Sequence, residues 1–351
     1  MHERPLTSRD LAQLIGVSQS AVSRAFNPAA SIAPEMRARI LSAAKRLGYS
    51  PHPIARNLTG ERRDVVGIVI SDFANPFYST LLDRLTQRLQ EAGLQALLFN
   101  VTPGADVKQQ LAALRLHNIS SLIVISATVL SARDLLWAAE GRRMLLVNRV
   151  AGETDLQSVS CDSVAGTRDI ADHFHAIGVR RVAYVGGLEH TVIARERRDA
   201  FITRIAEHGM TLTEAVTAGE YSYTAGWRAA EGLCLWRQPE AVFFANDILA
   251  TGGMDALRDR LGLRIPADIK VAGFDDVAMA SWPRYLLTTV QQPVDLIVEE
   301  AVKRAMPASP PSDGPQDLRI PARLIVRQST SAESQETMLG PNGSVTERTA
   351  R

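Results

Sequence analysis

The sequence predicts an α/β chain with a small three-helix head, a short hinge helix and two doubly wound lobes built on parallel sheets. Two observations carry this expectation. Before about residue 60, apolar positions recur at helical spacing with capping residues and a Gly turn between them. After residue 63, short all-apolar runs alternate with amphipathic stretches, the order that builds parallel sheets covered on both faces.

In the head, Thr7-Ser8-Arg9-Asp10 has the Thr-x-x-acid form of a capping box. Leu11, Ala12, Leu14 and Ile15 follow at the spacing of one buried face, predicting a helix over 8–15. Gly16 permits a tight turn, and Ser18 caps a second helix whose Ala21, Val22, Ala25 and Phe26 share the same small core. Gln19, Ser20, Ser23 and Arg24 are left pointing outward. Such a row suits a DNA major groove: Gln bonds adenine bidentately, Ser reaches several base edges, and Arg fits guanine O6 and N7. Pro34-Glu35 starts a third helix with Met36, Ile40, Leu41, Ala44 and Leu47 inward and Gly48 as its stop. Ser50-Pro51-His52-Pro53 then breaks the chain, and residues 54–60 supply barely two helical turns, too few to be stable without a partner.

Charge supports the same reading. Through Arg63 there are ten Lys/Arg against four Asp/Glu, whereas residues 64–351 hold 29 basic and 34 acidic side chains. The near-neutral total of +1 therefore conceals a cationic head on an anionic body. A phosphate backbone favours such a head through counterion release.

In the body, Val65–Ile70, Ala96–Phe99, Leu122–Ile125 and Met144–Val147 read as buried parallel strands, with helices over 78–92, 106–117 and 132–140. A second series has strands at Arg181–Val185, Ala241–Phe244 and Ile269–Phe274, with helices near 164–177, 195–208, 223–235 and 247–261. In such sheets a ligand sits outside the carboxyl ends of the strands. Met306 through Asp317 reads as a loose loop, and 331–351 as a tail without fixed structure.

Leu11-Ala12, Gly16-Val17-Ser18, Val22-Ser23-Arg24, Asn27, Tyr49-Ser50-Pro51 and Ala55-Arg56-Asn57-Leu58 together resemble the LacI/GalR family of transcriptional repressors, and the likeness spans nearly the whole chain. The resemblance implies a helix-turn-helix DNA-binding domain over 1–50 and a hinge over 51–62. It implies lobes of periplasmic-binding-protein type: 63–161 with about 292–320, and 162–291 with about 321–330. It also implies that Leu58 wedges a minor-groove base step, with Ala55 packing the paired hinge helices and Arg56 near the backbone. The expected partners are operator DNA, a second copy of the chain, and a small effector. The tail lacks the leucine heptads that pair dimers into tetramers in some members, so a dimer is expected.

By the same resemblance Asp275, the first Asp after Gly273-Phe274, and Asn246 of Ala245-Asn246-Asp247 grip ligand hydroxyls. A carboxylate accepts two hydroxyl bonds, and an amide both donates and accepts. Arg197 matches the family's ligand Arg, with Arg195 as the alternative because the preceding loop is a residue longer than in some relatives. Tyr221 and Phe77 match aromatic walls, and Asn148 and Arg149 stand at the rim. Asp162, in a variant of the family's Asp-Asn-x-x-Gly with Ser163 in place of Asn, is expected to cap the helix after it.

Enzyme chemistry lacks its usual parts. There is no GxGxxG after a strand, no GxxxxGK[ST], no HExxH and no GxSxG. His173 and His175 stand two apart on a helix, which suits neither a metal site nor a relay, and His190 is expected to be exposed. Cys161 and Cys234 form no metal-binding or disulfide framework, and no cofactor is expected. No apolar run approaches a membrane span, and the Met-His-Glu-Arg-Pro start lacks a signal core, so a cytoplasmic protein is expected. The resulting expectation is a dimeric repressor of a pseudo-palindromic operator, controlled by a sugar, sugar derivative or polyol. Its alternatives are control by a protein partner or a purine, and a sugar-binding module that does not bind DNA.

Overall fold

The computed structural model describes residues 6–27, 30–49, 65–71, 75–101, 119–125, 142–150, 156–233, 239–306 and 316–331, with single positions at 73, 112, 114, 117, 131, 133, 134 and 137. It divides into two units, Met1–Asp64 and Val65–Arg351.

The first unit holds α1 (Ser8–Ile15), α2 (Gln19–Ala25) and α3 (Pro34–Arg46). The capping box forms as its residues require: the Thr7 backbone N–H donates to Asp10 at 2.9 Å, and the Asp10 N–H donates back to the Thr7 hydroxyl at 3.3 Å. Gly16 ends α1 at φ +69°, a left-handed cap that a Cβ would strain. Leu11, Ala12, Val22, Ala25, Ile40 and Ala44 form the core, and Phe26 meets Tyr49 edge-on at 5.7 Å.

Three leucines expected in that core are exposed: Leu14 at 62%, Leu41 and Leu47. The seam of α1 centres on Leu11, Ala12 and Ile15, which puts Leu14 on its flank, and Leu41 is similarly off the seam of α3. Leu47 is the C-cap residue, beyond the last helical turn. Helices of 8, 7 and 13 residues enclose only a narrow core. Residues 50–64, with the expected hinge helix, lie outside the described residues.

The second unit begins with β1 (Val65–Ile70), α4 (Pro76–Glu91), β2 (Gln95–Asn100), β3 (Ile119–Ile125), β4 (Arg143–Val147) and β5 (Gln157–Cys161). The chain then builds a second lobe from α5 (Ser163–Ala176), β6 (Arg181–Gly186), α6 (Val192–Glu207), β7 (Thr211–Thr217), α7 (Tyr223–Glu231), β8 (Ala241–Phe244), α8 (Asp247–Asp255) and β9 (Lys270–Ala272). After β10 (Thr289–Gln291) it returns to the first lobe for α9 (Val294–Ala305) and β11 (Asp317–Ile320). Finally β12 (Arg323–Ile325) pairs antiparallel with β10.

The first sheet has the order β11-β5-β4-β3-β1-β2 and the second β7-β6-β8-β9, with every pairing parallel. Both are therefore doubly wound, with strand carboxyl ends and helix N-termini directed at one cleft. One apolar core spans the two sheets, and Leu81, Leu85 and Leu89 of α4 each bury fully in it at i, i+4 spacing. Such burial contributes about 1.5–3 kcal/mol per side chain.

Two helices in the second lobe touch backbone to backbone. A Cβ at Gly226 of α7 would collide with the Leu249 carbonyl, and one at Gly252 of α8 with that of Tyr223. The helices predicted over 106–117 and 132–140 fall mostly outside the described residues, as do loop residues 307–315 and tail residues 332–351. Asp317 belongs to a strand rather than to the loop before it.

Candidate functional site

Two surfaces gather the residues singled out from the sequence. On the first unit, Gln19, Ser20, Ser23 and Arg24 of α2 are all exposed, while Val22 and Ala25 anchor the opposite face. The Gln19 amide donates to the Ser8 hydroxyl at 3.0 Å, and Ser18 caps α2 by accepting from the Ala21 N–H at 3.1 Å. Arg37 holds the segment after α2 by donating to the carbonyls of Asn27 at 3.0 Å and Ala30 at 2.7 Å. The outward row is thus presented on a short, firmly seated helix. Ala55, Arg56 and Leu58 lie outside the described residues.

The second surface is a cavity of about 170 Å³ between the lobes of the second unit. All seven candidate ligand residues line it: Phe77, Asn148 and Arg149 from the first lobe, and Arg197, Tyr221, Asn246 and Asp275 from the second. Arg197 projects from the second turn of α6, and the others stand near a strand end or a helix start. Asn148 follows β4 at φ +52°, a conformation Asn tolerates, and its amide donates to the Tyr78 hydroxyl at 3.1 Å. Asn246 caps α8, with its Oδ1 accepting from the Leu249 N–H at 3.1 Å. Asp275 follows β9 at φ +125°, a left-handed backbone that is costly for a residue with a Cβ and is fixed here by its N–H bond to the Val290 carbonyl.

The floor is electrostatic. Arg197, only 4% exposed, donates to the Ala245 carbonyl at 2.8 Å and to the Ser163 hydroxyl at 3.4 Å. Its guanidinium lies 3.6 Å from the Phe274 ring centroid and 3.9 Å from the Asp275 carboxylate. Asp275 also accepts from Gln292 at 2.6 Å. Behind it, wholly buried Asp247 accepts from Thr289 at 2.6 Å and from the Val277 N–H at 3.0 Å. Burial first, and the neighbouring Asp275 charge second, push the Asp247 carboxyl well above the usual carboxylate range. Burial lowers the proton affinity of Arg149 and raises the Cys161 thiol to about 12, which leaves that thiol inert.

Among the described residues, two buried side-chain atoms of the wall have no hydrogen-bond partner: the Asn246 Nδ2, a donor, and the Asn148 Oδ1, an acceptor. Both belong to residues that line the cavity, and an amide nitrogen can donate and an amide oxygen accept a hydrogen bond.

Of the two Arg alternatives, Arg197 lines the cavity, while Arg195 is exposed and donates to the His190 carbonyl at 2.9 Å. Asp162 caps α5 through the Ala165 N–H at 3.0 Å and stays out of the cavity lining. His190 is exposed and also stands at the rim. His173 and His175 do not meet: the first bonds Thr330 at 2.8 Å, and the second stacks on His208 at 4.2 Å.

Sequence reasoning missed Asn75, Tyr78, Gln292, Leu188 and the Thr191–Ile193 wall. Asn75 before Pro76 carried an N-cap signal, confirmed by its bond from the Phe77 N–H at 3.1 Å; Tyr78 carried none. Among the described residues no group of three or more His, Cys, Asp or Glu could hold a metal ion, and no helix is long and apolar enough to cross a membrane.

Comparison with known proteins gives the arrangement its context. Residues 7–52 match the family of bacterial regulatory proteins of the lacI type, and residues 171–330 match the periplasmic binding protein-like domain. The chain is 28% identical over 337 residues to the HTH-type transcriptional regulator DegA of Bacillus subtilis, covering 93% of this chain and 98% of that one. It is 27% identical over 334 residues to the regulator GalR of Escherichia coli, covering 94% and 97%. Among solved structures, the lac repressor dimer bound to operator and the anti-inducer ONPF aligns with a TM-score of 0.81 at 26% identity, covering 93% and 99%. A complex of the regulator CelR with cellobiose aligns at 0.67 and 28% identity, covering 93% and 100%. The chain belongs to the LacI/GalR family of DNA-binding transcriptional regulators and is not an enzyme.

Proposed function

We propose that the chain is a cytoplasmic repressor that grips a pseudo-palindromic operator as a dimer and releases or tightens it when a small hydroxylated metabolite fills the inter-lobe cavity. The observation that carries this reading is the pair of unsatisfied amide atoms, Asn246 Nδ2 and Asn148 Oδ1, on a wall that also holds the Arg197–Asp275 pair. Together they offer donors and acceptors to a sugar, sugar derivative or polyol. The lac repressor dimer on operator and the CelR–cellobiose complex support the dimer and the sugar class.

On this reading α2 enters the major groove, with Gln19, Ser20, Ser23 and Arg24 at base edges. The hinge folds in the minor groove, with Leu58 as wedge, Ala55 at the helix pair and Arg56 near the backbone. The effector acts by binding one lobe arrangement better than the other, and moving a population from 1:99 to 99:1 takes about 5.5 kcal/mol of that difference. A band shift with the full-length chain on palindromic and scrambled duplexes, repeated across a panel of sugars and polyols, tests the proposal. Mobility that ignores both palindrome and panel would contradict it.

A further inference from the structure

We propose that Ser8 of α1 sets base specificity from outside the reading helix, by holding the Gln19 carboxamide so that its free edge reads adenine. This deepens the reading of the outward row on α2 as the base-reading face and rests on it.

The two residues belong to different helices, and their contact joins those helices across the turn at Gly16. Gln19 is the first residue of α2 and is exposed, while Ser8 is the first residue of α1 and is half-buried. The Gln19 Nε2 donates to the Ser8 Oγ at 3.0 Å. Ser8 in turn bonds the half-buried Tyr49: burial raises the proton affinity of the Tyr49 hydroxyl, and the bond to Ser8 lowers it. A bond that lowers a phenol's proton affinity is one donated to its oxygen. The Ser8 proton therefore goes to Tyr49, and a Ser8 lone pair is left to accept from Gln19. Tyr49 is itself held against the small core, where it meets Phe26 edge-on at 5.7 Å.

This chain of contacts decides which way the amide faces. A carboxamide has two N–H donors and an acceptor oxygen. With one N–H given to Ser8, a donor and the Oε1 acceptor remain, and these are the two groups that adenine N7 and N6 require. An amide turned the other way would present its oxygen to a hydroxyl with no proton left to give. A free amide can also turn its nitrogen toward the acceptors of guanine, whereas the held one cannot do so without losing Ser8. Ser20 and Arg24, by contrast, make contacts within α2 and its cap: they meet at 3.5 Å, and Ser20 lies 3.0 Å from Ser18. Ser8→Ala isolates the proposed role, because the cap of α1 is made by Thr7 and Asp10 and alanine is a good helix former.

The test is competition binding of the full-length chain to duplexes it retains from a random pool, with each base pair of a half-site replaced in turn. Gln19→Ala locates the position that Gln19 reads, expected to be an A·T pair. Ser8→Ala should lower the preference for adenine at that same position by about fivefold, the effect of one neutral hydrogen bond. Preferences elsewhere and affinity for random duplexes should stay as in the parent. Ser8→Thr, which keeps the hydroxyl, should hold the preference. A pattern in S8A equal to the parent's, or a loss spread evenly over every position and over random DNA, overturns the role of Ser8 and leaves operator binding standing. A Q19A position occupied by G·C does the same. No preference for any base pair in the parent chain overturns both.

Discussion

Arg197 and Asp275 meet at 3.9 Å on the floor of the inter-lobe cavity, both at least 95% buried, the one from the second turn of α6 and the other from the loop after β9. The pair couples the loop after β9 to helix α6. Because Arg197 also bonds the Ala245 carbonyl, the position of β8 is tied to the same point. Removing one partner leaves the other charge buried, and breaking such a pair costs about 3–5 kcal/mol. Arg197→Met should therefore lower the stability of the lobes by that order in urea denaturation followed by circular dichroism, as well as weaken effector binding. An unchanged unfolding midpoint would show that Gln292 and solvent carry Asp275 unaided.

Asp247 gives a pH signature. Its folded-state carboxyl is raised above the ordinary 3.8 by burial and by Asp275, so between these values the folded chain binds more protons than the unfolded one. The stability it contributes is present in full below 3.8 and is lost as the pH rises through the elevated value. Denaturation midpoints measured across acidic to neutral pH should fall with this component, and Asp247→Asn should flatten the slope. A variant slope equal to that of the parent would reject the assignment.

Gly226 and Gly252 yield a prediction whose sign opposes helix propensity. Glycine inside a helix is normally worse than alanine by roughly 0.5–1 kcal/mol. Here a Cβ at either place strikes the backbone carbonyl of the facing helix. Gly226→Ala should consequently destabilise the second lobe by about 1–3 kcal/mol in thermal or chemical unfolding. A stabilised variant would mean that α7 and α8 can separate freely.

Arg24→Ala should cost about 1–3 kcal/mol of operator affinity and relax preference at one base pair, since a bidentate guanine contact would vanish. Filter binding on operator and random duplexes reads both effects. Equal loss on the two would reduce Arg24 to a phosphate contact.

Much of this architecture was legible because the deciding residues stand in contiguous patterns. The apolar runs of β1, β3, β4, β6 and β8 announce buried parallel strands, and the Thr7–Asp10 box and Gly16 mark both ends of α1. Strand β5 was overlooked because Ser158 and Ser160 are buried within it, interrupting its apolar run. Edge strand β7, Thr211–Thr217, carries a solvated face and so reads as a polar loop. Helix α9 was missed although Ile297, Val298, Ala301 and Val302 recur at helical spacing.

The site followed the same rule. Residues after strands, such as Asn148, Asn246 and Asp275, could be named from position together with family resemblance. The choice between Arg195 and Arg197 needed the register of α6, which places one side chain in the cavity and the other in solvent. Gln292 is distant in sequence from Asp275, and only folding brings it within 2.6 Å.

Selection of duplexes by the full-length chain from a random pool addresses two-fold recognition by the exposed row on α2 most directly. The account predicts that the retained sequences share inverted half-sites about one helical turn apart centre to centre. Retention of sequences without two-fold symmetry, or no enrichment at all, would contradict it.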